Sequence, residues 1–419
     1  MLALFPGAAS TAAGVLKVDG TPVTELAERF GTPLVVYSEH ALRERARLFR
    51  RAVPEALVAY GTKAFPNVAV MRLLAEEGIG ADVSTLGELT FARRAGIDGA
   101  RLLVHGNNKS DEELRAAAEA GALVVLDALD EAARAATAGV RRVLVRVTPG
   151  VDADTHEAIR TGHHGSKFGL DPDDALEAVR AAGTAGLEVE GLHLHVGSQL
   201  ADGEAQLLSV RLLAEFAARC REQLDWTPAV VDLGGGYGIR HLPDEPEPRT
   251  EELVRAISDA VAETWSSLEL PAPLLIIEPG RSLVGPAGFT LYRIGAVKRA
   301  GDRRYVAIDG GMSDNPRPQL YQARYCALLA NRADEEPQDV FTIAGKHCES
   351  GDVLIERAEL PEPRRGDLIA VPATGAYTLG MASNYNGVPR PAAVLVGAGG
   401  ARLIRRRETI ADLLAVETD

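Results

Sequence analysis

The sequence predicts an α/β protein: a (β/α)8 barrel of the TIM type followed by a second domain of antiparallel β-sandwich or barrel structure. Three observations predict it. From about residue 55 to 285, short β-branched runs alternate with longer Ala/Leu/Glu/Arg runs of helical period, the pattern of repeated βα units around a parallel sheet. Eight such strand runs fall within roughly 230 residues, which suits barrel closure. After residue 286 the texture changes to short apolar segments separated by Gly, Pro and Asp, with few helical stretches. A doubly wound open sheet is the rival, but no G-x-G-x-x-G follows the first strand and eight consecutive units fit closure better.

In order, the barrel strands are expected at 57–60, 79–83, 102–105, 123–126, 143–147, 189–196, 230–233 and 274–277, with helices near 67–77, 85–95, 110–120, 130–138, 171–182, 204–223 and 250–267. Thr85 with Glu88 and Ser110 with Glu113 each fit a capping box, in which hydroxyl and carboxylate satisfy orphan backbone N–H groups. The second domain has strand candidates at 289–297, 305–308, 340–343, 367–371 and 393–396. The first thirty residues are too short to fold alone, and their strand-like Val15–Val18 is expected to join that same sheet. The expected division is therefore 30–285 for the barrel, with 1–29 and 286–419 forming the β domain. Pro243-Asp244-Glu245-Pro246-Glu247-Pro248-Arg249 reads as an exposed loop or lid.

The 419 residues are 46% hydrophobic, 25% charged and 5% aromatic, a composition of soluble globular chains rather than disordered, fibrous or membrane ones. With 45 Lys plus Arg against 59 Asp plus Glu, the formal charge is -14. Such a surface repels phosphate backbones and anionic bilayers, which argues against nucleic-acid and membrane partners. No apolar run approaches the roughly 18 residues of a spanning helix. Met1-Leu2-Ala3-Leu4-Phe5-Pro6 lacks the basic start of a signal peptide, so a cytoplasmic location is expected. Cys220, Cys326 and Cys348 lie far apart with no C-x-x-C, giving neither a disulfide framework nor a zinc cluster. A cysteine of interest here is read as catalytic.

Barrel enzymes build their sites at the carboxyl ends of the strands, and several of these ends carry reactive residues. Lys63 lies just past the first strand; buried at a barrel mouth, its amine would have a lowered pKa and could form a Schiff base, whereas alone it reads as a surface lysine. His193 and His195 alternate with leucines and point to one face of the sixth strand. Three readings stay open for them: a metal pair, which lacks acidic ligands at suitable spacing nearby, a ring lying against a planar cofactor, or a core histidine bonded to backbone. Gly234-Gly235-Gly236 follows the seventh strand and Glu278-Pro279-Gly280-Arg281 ends the eighth, where barrels commonly bind phosphate because bare N–H groups approach an oxyanion closely. A tight turn would need the same glycines. Ser198 can add a hydroxyl to the phosphate. A carboxylate beside a phosphate cradle needs a cationic partner, and a protonated pyridine nitrogen would serve Glu278. An amine, an imidazole, a glycine turn and a carboxylate on strands one, six, seven and eight together describe a pyridoxal phosphate site, with no metal.

At these residues the chain resembles the fold-type III pyridoxal-phosphate decarboxylases, whose fold is alanine racemase-like. The resemblance rests on Tyr60-Gly61-Thr62-Lys63-Ala64, Gly80-Ala81-Asp82-Val83-Ser84, His105-Gly106-Asn107-Asn108-Lys109-Ser110, His195-Val196-Gly197-Ser198-Gln199, Asp232-Leu233-Gly234-Gly235-Gly236 and Glu278-Pro279-Gly280-Arg281. In the second domain it rests on Asp309-Gly310-Gly311-Met312-Ser313-Asp314, Arg317-Pro318, Cys348-Glu349-Ser350-Gly351-Asp352 and Gly375-Ala376-Tyr377. It implies that Lys63 holds the cofactor, His195 packs on its ring and Glu278 keeps the pyridine nitrogen protonated. Ser198, Gly234, Gly235, Gly236, Gly280, Arg281 and Tyr377 would surround the phosphate. It also implies a homodimer in which Cys348 and Glu349 of one chain complete the site of the other, with Cys348 donating a proton as general acid. The implied reaction converts meso-2,6-diaminopimelate to L-lysine and carbon dioxide. That substrate ends in both an ammonium and a carboxylate. Arg281, Arg317 and Tyr321 would engage the carboxylate end and Glu349 the ammonium, with Tyr377 also contacting the substrate. Related enzymes acting on another amino acid or on carboxynorspermidine, a racemase, and a regulator without cofactor are the competing readings. Phe65 and Lys346-His347 depart from the family pattern; His347 would either lower the pKa of the neighbouring Cys348 thiol or face solvent.

Overall fold

The computed structural model describes residues 1–7, 9–148, 167–199 and 203–418. It forms two compact units, one of residues 46–238 and 248–280, the other of residues 1–45, 239–247 and 281–419.

In the first unit, eight parallel strands close into a barrel: Leu57–Gly61, Gly80–Val83, Leu102–Val104, Leu123–Leu126, Arg142–Arg146, Glu188–His193, Val230–Asp232 and Leu274–Ile277. They follow one another in chain order, and the eighth closes on the first by pairing Ile276 with Leu57 and Ile277 with Val58. Ala59, Leu103, Leu123, Val125, Leu144, Val230 and Ile276 cluster as one buried core, the inward set of a side-chain-filled barrel. The apolar run expected to reach Val196 forms strand only to His193. Its register shifts between Val189 and Gly191, and a Cβ on Gly191 would lie 1.8 Å from the Val230 carbonyl oxygen. Only glycine lets the two strands approach there.

The helices start where side chains can satisfy the first orphan N–H groups. Asn67 Oδ1 accepts from the N–H groups of Ala69 and Val70, and Ser110 with Glu113 forms the full capping box expected. At Thr85 the box is only half made. Its hydroxyl accepts from the Glu88 N–H at 3.2 Å, but the Glu88 carboxylate takes the Ser84 N–H, one residue before the cap.

The second unit is built on a mixed nine-stranded sheet, which corrects the antiparallel expectation. Leu34–Ser38 runs parallel to Ala392–Gly397, and Arg303–Ile308 parallel to Asp339–Ala344. The long strand Gly288–Ala300 is central, pairing antiparallel with Leu34–Ser38, Arg303–Ile308 and Leu368–Val371. Val15–Val18 does not join this sheet. It is the middle of a separate three-stranded sheet with Ser10–Ala12 and Thr21–Pro22. The reason lies in its two connections: Ala13-Gly14 and Asp19-Gly20 are two-residue turns with positive φ at every position, the type I′ geometry that folds a strand back on its neighbour. Leu16 and Val18 still bury their side chains in a core shared with Phe289, Leu291 and Val394.

Candidate active site

In the barrel unit the carboxyl ends of the strands gather an unusual set of polar groups. Lys63 sits in a short 3-10 turn, Thr62–Ala64, directly after the first strand. It is exposed rather than buried, and its charge acts on Asp82 and His195. The backbone beneath it ties the first strand to the end of the eighth, with the Gly61 N–H donating to the Pro279 carbonyl at 3.2 Å. His195 lies two residues beyond the sixth strand, where its Nδ1 accepts from the Gly235 N–H at 3.3 Å. The ring therefore carries any proton on Nε2. Burial, reinforced by the charges of Lys63 and Arg146, pushes its pKa down to about 3, so the imidazole is neutral. The glycine turn is shaped by these neighbours: Gly234 has φ +64, and a Cβ on it would stand 2.6 Å from His195 Nδ1. A Cβ on Gly235 would meet the Glu278 carbonyl oxygen at 2.3 Å. Ser198 is exposed.

Glu278 is buried, and two imidazoles face its carboxylate. His105 Nε2 lies 2.6 Å from Oε1 and His193 Nε2 3.7 Å from Oε2; the two rings meet edge to face at 4.8 Å. Burial disfavours the Glu278 anion, but His105 outweighs it and holds the carboxyl well below its usual range. The same pairing raises the His105 pKa, since Glu278 and Asp82 together overcome the effect of burial on the cation. Asp232 goes the other way. Burial and the Glu278 charge raise its pKa well above the ordinary value, while its Oδ1 accepts from the Gly234 N–H at 2.8 Å. Two neighbouring carboxyls are thus shifted in opposite directions by their shared surroundings. His193, pushed down to about 3 chiefly by burial, is neutral. Asp82 Oδ1, Asp232 Oδ2 and both His193 ring nitrogens are buried without a hydrogen-bond partner, so the protein does not satisfy this cluster by itself.

Asp82, His105, Asp232 and the half-buried Arg146 have no role in the sequence reading. Each stands at the carboxyl end of a barrel strand or just beyond it, and a survey of all eight ends was the signal that could have found them. The fold also supplies acids beside His193 that sequence spacing did not. His105, His193, Asp232 and Glu278 place one ligand atom each within 4.8 Å of one another. The 2.6 Å contact between His105 and Glu278 is that of a direct charge-assisted hydrogen bond.

The second unit carries the remaining predicted residues. The Arg281 guanidinium stacks 4.6 Å above the ring of Tyr377, whose φ of +57 holds it in the left-handed region. Burial and the nearby Arg317 lower the Arg281 pKa. Arg317 is buried at the start of the short helix Arg317–Tyr321 and donates to Tyr325 Oη at 2.6 Å. Tyr321 is exposed. Cys348 and Glu349 are both exposed on one turn, where the Cys348 N–H donates to Asn386 Oδ1 at 2.8 Å. His347 does not face solvent. Its Nδ1 lies 2.6 Å from Asp352 Oδ2, and its buried ring stacks on Tyr385. The three cysteines are free, and burial raises the thiols of Cys220 and Cys326 to about 12. Among the described residues, no helix is long and apolar enough to cross a membrane.

Comparison with known proteins gives the class to which this barrel belongs. Residues 39–285 match the pyridoxal binding domain of the pyridoxal-dependent decarboxylases. The chain is 46% identical to a diaminopimelate decarboxylase from Actinosynnema pretiosum subsp. auranticum, covering 99% of this chain and 95% of that one. It is 44% identical to the diaminopimelate decarboxylase of Bacillus subtilis strain 168, covering 96% and 95%. A crystal structure of diaminopimelate decarboxylase from M. jannaschii in complex with L-lysine superimposes with a TM-score of 0.93 at 35% identity, over 99% of this chain and 98% of that one. The chain belongs to the pyridoxal-dependent decarboxylases, and within them to the diaminopimelate decarboxylase family. Pyridoxal phosphate is the cofactor of this family. The barrel residues fit it: a carboxylate held anionic suits a protonated ring nitrogen, a neutral imidazole suits a flat ring, and the glycine turn leaves space that any Cβ would fill.

Proposed function

We propose that this chain decarboxylates meso-2,6-diaminopimelate to L-lysine and carbon dioxide as the last step of lysine biosynthesis. Bound pyridoxal phosphate supplies the electron sink that takes up the pair left when carbon dioxide departs. The Lys63 amine would hold the cofactor. Glu278, held anionic by His105, would accept from the cofactor's ring nitrogen and so favour its protonated form. His195 packs on the ring as a neutral group. Backbone N–H groups at Gly234, Gly235, Gly236 and Gly280, with Ser198, Arg281 and Tyr377, receive the phosphate. Cys348 delivers a proton to the carbon that lost its carboxylate. Arg281, Arg317 and Tyr321 bind the distal carboxylate, Glu349 the distal ammonium, and Tyr377 also contacts the substrate.

In this reading the enzyme is a cytoplasmic homodimer, and Cys348 and Glu349 of one copy serve the site of the other. Their exposure on a turn of the isolated chain supports that arrangement. The observation that carries the choice of substrate is Arg317. Its guanidinium is buried, its Nε has no hydrogen-bond partner, and among the described residues no carboxylate pairs with it. A buried cation held without a counter-anion favours a ligand that brings one, and a diamine precursor lacking the second carboxylate would leave it unpaired. Steady-state assays with meso-diaminopimelate, lysine, ornithine and arginine test this. Consumption of diaminopimelate alone is expected; turnover of another member of the panel with diaminopimelate inert would overturn the assignment.

A further inference from the structure

Arg317 is held along one edge by two acceptors. Its Nη1 donates to Tyr325 Oη at 2.6 Å and approaches His241 Nε2 at 3.2 Å. The two rings brace each other edge to face, with centroids 5.6 Å apart at 78°, and all three side chains are buried. His241 Nε2 can accept only when the imidazole is neutral with its proton on Nδ1. Its surroundings enforce that form. Burial, with the charges of Arg317 and Arg281, pushes its pKa down to about 3, while the ring bonds the backbone of Ile239. The His241 backbone is fixed as well: its N–H and that of Leu242 both donate to Glu245 Oε2, at 2.6 and 3.1 Å, and its carbonyl accepts from Cys326 Sγ at 3.5 Å. Glu245 thus gives the acidic 241–249 segment a structural task at its start.

A guanidinium offers its Nε and Nη2 hydrogens as a parallel pair, the edge that matches a carboxylate in two hydrogen bonds. Nη1 lies off that edge. An acceptor pair that captures Nη1 therefore fixes the rotation of the group and leaves the carboxylate-binding edge presented, and the buried Nε has no partner of its own.

We infer that His241 and Tyr325 are positioning residues for substrate specificity, which aim the Nε and Nη2 edge of Arg317 at the substrate's distal carboxylate. This rests on the diaminopimelate reading and adds to it the groups that make one arginine selective. Neither residue touches the reacting carbon, so their loss falls on binding of the distal end rather than on the chemical step.

The test uses the full-length enzyme loaded with cofactor, as wild type and as His241→Leu, His241→Gln and Tyr325→Phe. Two inhibitors serve as binding probes: L-lysine, which retains a carboxylate on the distal centre, and 1,5-diaminopentane, which has none. His241→Leu is expected to raise KM for meso-diaminopimelate about tenfold or more, with kcat within about threefold. The inhibition constant of L-lysine should rise in parallel while that of 1,5-diaminopentane stays put. His241→Gln restores an acceptor and should recover most of the loss. Tyr325→Phe removes one oxygen, keeps the ring, and should act in the same direction even where His241→Leu fails to fold. A fall in kcat at unchanged KM, equal weakening of both inhibitors, or a Gln variant as poor as Leu would overturn the inference. Wild-type enzyme inert on diaminopimelate would instead remove the parent reading, which keeps the two failures distinguishable.

Discussion

Replacing His105 by leucine removes the strongest cationic partner of a buried carboxylate. In the native barrel His105 Nε2 lies 2.6 Å from Glu278 Oε1, and both side chains are less than a tenth exposed. Breaking a buried pair from one side typically costs about 3–5 kcal/mol, because the surviving charge stays desolvated. For a unit of this size that corresponds to a fall in thermal midpoint on the order of 10 °C. The pH dependence is more diagnostic. The folded-state pKa of His105 is raised above its unfolded value, so its contribution is fully present below about 6.5 and is lost as pH rises through the raised value. The folded-state pKa of Glu278 is depressed, so its contribution is present above the unfolded value near 4.5 and disappears only far into acid. The gap between wild type and His105→Leu should therefore be widest at about pH 5–6 and narrow as the solution becomes alkaline. Differential scanning calorimetry of the cofactor-free proteins from pH 5 to 9 measures it. A gap below about 1 kcal/mol, or one that widens with alkalinity, would refute the pairing.

Three further outcomes follow from the geometry. Gly235→Ala drives a Cβ to within 2.3 Å of the Glu278 carbonyl oxygen, and because that atom is backbone the turn must shift; cofactor affinity, titrated by absorbance, should fall about tenfold or more. Lys109→Met leaves Glu131, its partner at 2.8 Å, buried without that cation, at a cost of about 3–5 kcal/mol in urea denaturation. Adding Glu131→Gln should return a large part of that loss. Cys348→Ala should lower kcat on meso-diaminopimelate about 100-fold or more with little change in KM, as loss of a general acid does; an unchanged kcat would exclude the thiol as proton donor.

The barrel strands and helices were legible because each carries its own local signal: a β-branched run, a helical period, a cap. The eight strands lie within a few residues of their expected places for that reason. Leu34–Ser38 escaped the reading because it is fully buried and pairs with Ala392–Gly397, more than 350 residues away. A parallel pairing over that separation leaves no turn chemistry between its strands. Val15–Val18 was misassigned although Asp19-Gly20 is a strong hairpin signal. Lys63, His195 and Glu278 could be singled out as candidates from residue type and position at strand ends. Asp82, His105 and Asp232 could not be given roles, since their coupling arises only when the closed barrel desolvates them together. His347 shows the same limit: its partner Asp352 is five residues away, and only the fold turns the ring inward.

Carbon dioxide release from meso-diaminopimelate, measured for wild type beside Lys63→Ala with pyridoxal phosphate added, bears most directly on the account. Sustained release by wild type and near-total loss in the variant are predicted, because the proposed mechanism holds the cofactor through the Lys63 amine. Equal release by the two proteins, or none from wild type carrying bound cofactor, would contradict it.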